Sequence, residues 1–236
     1  MKLIAFETSA KAASAALLEN GALVGESYLN CGLTHSKTLL QLAEDLLKLI
    51  GCTPADIDVV AYANGPGSFT GVRIGAAAAK GFCWGLDIPC VPVSTLEAMA
   101  CSHLDFEGVV CCCMDARRRQ VYNAVFTVEN GNAARLRPDR AISVEELAED
   151  LRTFAGPILL VGDGAELVYL ALLEMIPTLH LCAEHLRQQR ASGVALAAWK
   201  TAEAGRAVSA SSPLPNYLRL SQAERERLTK QTDKGE

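Results

Sequence analysis

The sequence predicts an α/β protein of two similar lobes. Two observations carry that prediction. A run of three strands, a helix, a strand and a helix can be read twice along the chain. In each run an Asn-Gly pair, Asn20-Gly21 and then Asn130-Gly131, separates the second strand from the third, where a two-residue hairpin turn wants it.

The first run opens with apolar strands at Lys2 to Glu7, Ser14 to Glu19 and Leu23 to Leu29. A helix follows from about Ser36 to Ile50, with Leu39, Leu42, Ala43, Leu46 and Ile50 as its stripe and Gly51 as its stop. Leu40 and Leu47 are read as lying off that stripe. Strand Ile57 to Ala63, helix Gly71 to Gly85, strand Pro89 to Val93 and a helix from Ser94 complete the first half. Gly71, Gly75, Ala78, Phe82 and Gly85 share one face of the second helix. Glycine inside a helix costs about 1 kcal/mol relative to alanine, so such a face needs a compensating close approach.

The second half has strands Gly108 to Met114, Val121 to Val128 and a short one near Ala133 to Leu136. Helix Val144 to Phe154 enters through a capping box, Ser143 with Glu146. Strand Ile158 to Val161, the turn Gly162-Asp163-Gly164, a helix through Met175 and strand Leu179 to Cys182 follow. Asp163 reads as an ordinary turn residue. Near the end, Ser211 to Pro215, Tyr217-Leu218-Arg219 and a charged helix from Ser221 are expected to strap back onto the first lobe, with Lys230 to Glu236 frayed. The lobes are accordingly drawn as residues 1–104, with 213–236 packing back on them, and 105–212.

With 22 basic and 27 acidic residues the formal charge is −5, which disfavours a dedicated nucleic-acid surface. The apolar run Leu3 to Phe6 is too short for a signal peptide and no stretch approaches a membrane span, so a cytoplasmic protein without membrane contact is expected. Nine cysteines without any C-x-x-C read as reduced core thiols, Cys111 to Cys113 lying in a buried strand.

The segment Gly65 to Gly75, GPGSFTGVRIG, is a Gly-rich turn between strand and helix, with Ser68 and Thr70 offering oxygens near a helix start. Its spacing, G-x-G-x-x-x-G with Val72-Arg73 where a P-loop needs Lys and Ser or Thr, matches neither common phosphate loop. An isolated His35 beside Ser36 reads as a cap or contact residue more readily than as the base of a Ser or Cys nucleophile. Asp115 with Arg117 and Arg118 reads as a charged turn more readily than as a substrate clamp, although Arg117 to Arg119 could touch a nucleic acid held by a partner.

Glu7-Thr8-Ser9, the segment 65 to 75, Ala79-Lys80-Gly81, Pro92 to Glu97 (PVSTLE), Asp115-Ala116-Arg117-Arg118, Val121-Tyr122 and Pro215 to Arg219 (PNYLR) together resemble the bacterial TsaB (YeaZ) family. The resemblance implies a duplicated actin-like, ribonuclease H-like ATPase fold. It also implies a part in making N6-threonylcarbamoyladenosine (t6A) in tRNAs reading codons that begin with A. In that family a larger paralogue, TsaD, transfers the threonylcarbamoyl group, and a small ATPase, TsaE, joins the pair. The chain is then a non-catalytic partner, a homodimer when alone, that meets tRNA only indirectly. The catalytic paralogues carry metal-binding histidines in a segment HMEGH. Aligned through Pro92-Val93 and Glu97, those positions are Thr95 and Met99 here, so no metal is expected.

Where the family usually has Asp, this chain has Glu7. The expected partner interface is His35, Leu39, Leu40, Leu47, Gly71, Gly75, Ala78 and Phe82. Candidate nucleotide contacts are Glu7, Thr8, Ser9, Gly65, Gly67 and Ser68, with ATP or ADP held only within the complex. The alternatives are a metal-dependent glycopeptidase-like enzyme and a small-molecule kinase of the same superfamily.

Overall fold

The computed structural model describes residues 1–209 and 216–218. The first sheet holds β1 (Lys2–Glu7), β2 (Ala13–Glu19), β3 (Ala22–Leu29), β4 (Val59–Ala63) and β5 (Cys90–Val93) in the order β3-β2-β1-β4-β5. The second holds β6 (Gly108–Asp115), β7 (Gln120–Glu129), β8 (Asn132–Ser143), β9 (Ile158–Val161) and β10 (Leu179–Leu181) in the order β10-β9-β6-β7-β8. Read from β8, the second order repeats the first. In each sheet the three hairpin-linked strands are antiparallel and the last two run parallel to the first.

Helices α1 (His35–Ile50) and α2 (Phe69–Leu86) cover one face of the first sheet, where Leu39, Ala43, Leu46, Ala76, Ala79 and Cys83 meet Ile4, Phe6, Leu17, Val60 and Tyr62. Helices α4 (Val144–Leu151) and α5 (Ala165–Leu172) do the same for the second sheet. Helix α3 (Thr95–Cys101) lies between the lobes. Its Ala98 packs with the first sheet, and its Leu96, Met99 and Ala100 with Val110, Cys112 and Phe126 of the second.

Local signals set most boundaries. Gly51 ends α1 at φ 75°, a conformation that glycine adopts freely. The Ser68 hydroxyl accepts from Gly71 N–H at 3.3 Å, whereas Thr70 lies inside α2. Ser143 and Glu146 close their capping box, with Glu146 N–H on Ser143 Oγ at 3.1 Å and Ser143 N–H on Glu146 Oε2 at 3.0 Å.

Three features differ from the sequence reading. Strand β8 runs twelve residues, through Pro138 and up to Ser143, because it is an edge strand whose register shifts around Val125, where a proline is tolerated. No element was expected between Cys182 and Ser211, yet α6 (Glu184–Arg187) and α7 (Ala191–Glu203) lie there. Residues 191–203, assigned by sequence to the second lobe, pack instead on the first sheet through Ala191, Val194, Ala195 and Ala198. Val208 then bridges to Cys90 on the edge strand β5.

Of the C-terminal strap, residues 216–218 sit on the first lobe: Asn216 N–H donates to the Asn64 carbonyl at 2.8 Å, and Arg73 Nε donates to the Tyr217 hydroxyl at 2.8 Å. Residues 210–215, Arg219 and the helix expected from Ser221 lie outside the described residues.

Candidate functional site

A polar cleft of about 540 Å³ opens between the lobes. Its walls are the turn after β1 (Ser9 to Lys11), the start of α2 (Gly67 to Phe69), the end of β6 with its turn (Met114 to Arg117), Tyr122 and Asp163. Asp163 of the second lobe lines this cleft, and the Glu7 carboxyl of the first lobe is buried close enough to feel its charge. Glu7 is 1% exposed; one carboxylate oxygen accepts from Ser9 N–H and the other has no partner among the described residues. Burial, aided by the nearby Asp163 charge, pushes the Glu7 carboxyl up to about 7. Burial likewise raises Asp163, which accepts a hydrogen bond from Gln189 Nε2 at 3.1 Å. Asp163 is therefore a largely enclosed cleft residue and not the ordinary turn residue that its flanking glycines suggest.

The Gly-rich turn is fastened down onto the end of β1. Ser68 N–H donates to the Ser9 carbonyl at 2.7 Å, and the Thr8 hydroxyl donates to the Gly71 carbonyl at 2.8 Å. A Cβ at Gly67 would stand 2.5 Å from the Ser9 carbonyl oxygen, and one at Gly65 would stand 2.5 Å from the Asn216 carbonyl oxygen. Of the six nucleotide-contact candidates, Ser9, Gly67 and Ser68 face the cleft, whereas Glu7, Thr8 and Gly65 are absorbed into the surrounding packing. Ser68 N–H, which an anion loop would offer to a ligand, is already used.

Thr95 and Met99 point into the interior. Thr95 is fully buried with its N–H on the Gly65 carbonyl at 2.9 Å, and the Met99 sulfur lies 3.7 Å from Gln189 Nε2. Among the described residues no group of three or more His, Cys, Asp or Glu side chains is placed to hold a metal ion.

The second concavity is an apolar groove of about 580 Å³ between α1 and α2, lined by His35, Leu39, Leu40, Ala78, Phe82 and Gly85 among others. His35 is held across the groove end, its Nε2 2.8 Å from the Ala10 carbonyl oxygen. Leu40 is 52% exposed, and beyond the groove Trp84 and Leu49 are 72% and 86% exposed.

Five of the eight expected interface residues thus line the groove, and three do not. Leu47 is 3% exposed and belongs to the core, because it falls four residues after Ala43 and α1 buries an arc wide enough to meet both its sheet and α2. Gly71 and Gly75 are buried against Thr8, so the close approach their missing side chains permit is internal. Sequence reading also missed Ile74 and Gly81, which line the groove. The 4-3-4 spacing of Ile74, Ala78, Gly81 and Gly85 marks that face, but Gly71 and Gly75 drew attention to the adjoining one.

Comparison with known proteins places the fold in a family. The family profile described as "TsaD: tRNA N6-adenosine threonylcarbamoyltransferase" matches residues 30–227. The tRNA threonylcarbamoyladenosine biosynthesis protein TsaB of Bacillus subtilis is 31% identical over 227 residues, covering 95% of this chain and 96% of the relative. TsaB of Escherichia coli is 34% identical over 167 residues, covering 70% of this chain and 72% of that protein. The structure of YeaZ from Pseudomonas aeruginosa superposes with a TM-score of 0.78 at 27% identity, over 92% of this chain and 99% of that one. Near-full-length similarity and a repeated five-strand topology together establish that this chain belongs to the TsaB (YeaZ) family.

Proposed function

We propose that the chain is a non-catalytic subunit in the biosynthesis of threonylcarbamoyladenosine in tRNA, which docks and activates a TsaD-type threonylcarbamoyltransferase. The relatives, biosynthesis proteins of the same tRNA modification, support the pathway. The observation that carries the scaffold role is the α1–α2 groove: an apolar concavity with Leu40 on its rim and small residues, Ala78, Gly81 and Gly85, in its wall, fitted to receive the helices of another chain. A TsaE-type ATPase joins the pair, and in the absence of partner the same groove receives a second copy of this chain. Nucleotide, if held, is held only within the complex, because the Gly-rich turn is closed onto β1 in the isolated chain. No helix among the described residues is long and apolar enough to cross a membrane, and the proposed place of work is the cytoplasm with tRNA.

The test is reconstitution of the tRNA modification from TsaD-type and TsaE-type proteins with and without this chain. Strong stimulation by the chain, lost on Ala78→Arg, supports the reading. Turnover by this chain alone, or a stoichiometric bound metal, would instead favour the kinase or the peptidase.

A further inference from the structure

The turn between β6 and β7 is built unlike the two Asn-Gly hairpin turns. Asn20-Gly21 and Asn130-Gly131 take positive φ with residues that tolerate it, at 50° and 83° and at 51° and 69°. Between β6 and β7 the same left-handed conformation is carried by Arg117, Arg118 and Arg119, at 67°, 55° and 54°. The loop is closed by Gln120 N–H on the Arg117 carbonyl at 3.1 Å and by Ala116 N–H on the Gln120 carbonyl at 2.9 Å. Three consecutive long side chains in the left-handed region are unfavourable. A chain that uses Asn-Gly at two other turns and arginine here retains the arginines for what their side chains do.

Those side chains contribute little to the fold. The Arg117 side chain is 86% exposed and meets Asp115 only at 3.6 Å, and Arg119 pairs with Glu145 at 3.0 Å on the open surface. Arg118 is exposed and, among the described residues, makes no hydrogen bond or ion pair. Lys11, on the cleft wall that also includes Arg117, is in the same position. The Ser9 hydroxyl, 1% exposed, lies on the wall of the same cleft beside the Glu7 carboxyl.

We infer that the Arg117–Arg119 turn, with Lys11, holds a phosphate of the RNA backbone at the mouth of the interlobe cleft. The guanidinium fork matches phosphate oxygens in pairs. This inference rests on the proposed function, in which the RNA is delivered by the partner: with a net charge of −5 the chain adds a local contact and not the bulk of the affinity. A nucleotide phosphate has the same chemistry, but the exposed turn and the closed Gly-rich loop favour an extended backbone outside the cleft over a small ligand inside it.

The test is the double variant Arg118→Asn/Arg119→Gly in the reconstituted assembly, with a tRNA transcript and with ATP as separate probes. The expected result is a KM for tRNA raised about tenfold and a salt dependence shallower by about one to two phosphate contacts. Affinity for the TsaD-type partner should be unchanged, and the thermal midpoint of the variant equal to or above that of the parent. An unchanged KM and salt slope with partner binding intact overturns the inference alone. A loss of ATP affinity without a change in tRNA KM overturns it in favour of a nucleotide site. Failure of the unmodified chain to bind or stimulate the partner removes the scaffold reading, and this inference with it.

Discussion

Gly71 of α2 lies directly on Thr8 of the first lobe, so close that a methyl group on its Cα would overlap the Thr8 carbonyl oxygen. The obstacle is main chain at the end of a central strand and cannot swing aside. Gly71→Ala is therefore expected to destabilise the protein by about 3 kcal/mol, net of the helix propensity that alanine restores. For a chain of this size that is a fall of roughly 6–12 °C in Tm, measured by thermal unfolding. Gly75→Ala meets the Thr8 hydroxyl at 2.6 Å, a side-chain obstacle that can shift at the expense of its bond to the Gly71 carbonyl, and should cost less, about 1–2 kcal/mol. Equal losses at both positions would contradict this account.

Leu40 and Leu47 look alike in sequence and are opposite in structure, one 52% and the other 3% exposed. Leu40→Asp should leave stability within about 0.5 kcal/mol and abolish docking of the partner. Leu47→Asp puts a carboxylate into the core among Leu39, Ala43 and Ile57 and should cost about 4 kcal/mol or more. Chemical denaturation of both variants, paired with a pull-down of the TsaD-type partner by Leu40→Asp, separates the two roles.

The contrast also shows what is legible in one dimension. Features written within a few residues were read correctly: the apolar strand Lys2–Glu7, the Asn20-Gly21 turn, the Gly51 stop and the Ser143 box. Long-range features were not. Helix α7 is not legible because Arg190, before its first residue Ala191, supplies no side-chain cap and its buried face is mostly alanine and glycine, a weak periodic signal that acquires meaning only against the first sheet. Gly71 and Gly75 announced a close approach correctly, but nothing in the sequence says whether the approaching backbone is Thr8 or a partner. Asp163 read as a turn residue because its enclosure depends on Gln189, which is distant in sequence.

Thiol reactivity offers a direct check on burial. Cys31 is exposed, Cys52 and Cys101 are half-buried, and Cys83, Cys90, Cys111, Cys112, Cys113 and Cys182 are buried. Burial also pushes the Cys101, Cys112 and Cys182 thiols up, lowering their thiolate fraction. A thiol-specific reagent at pH 8 should therefore titrate Cys31 rapidly, Cys52 and Cys101 slowly, and the six buried cysteines only after unfolding. Rapid labelling within the Cys111–Cys113 run of the folded protein would place that strand at the surface.

Glu7 makes stability fall as pH rises through the acid range. Its carboxyl moves from 4.5 to about 7 on folding, chiefly through burial. Below the unfolded value both states are protonated and the group costs nothing. Between the two values the unfolded chain has lost a proton that the folded chain retains, so each step up in pH favours unfolding. Above about 7 both states are ionised and the loss is complete, on the order of 3 kcal/mol for a shift of this size. Glu7→Gln keeps the shape and removes the titration. Urea unfolding at pH 5 and pH 8 should show the variant gaining on the parent by about 2–3 kcal/mol at the higher pH, because the unpartnered buried oxygen is no longer charged. Should both proteins respond identically to pH, the carboxylate would have to be solvated or paired in the folded state, and the closed packing of β1 against the Gly-rich turn would open at neutral pH.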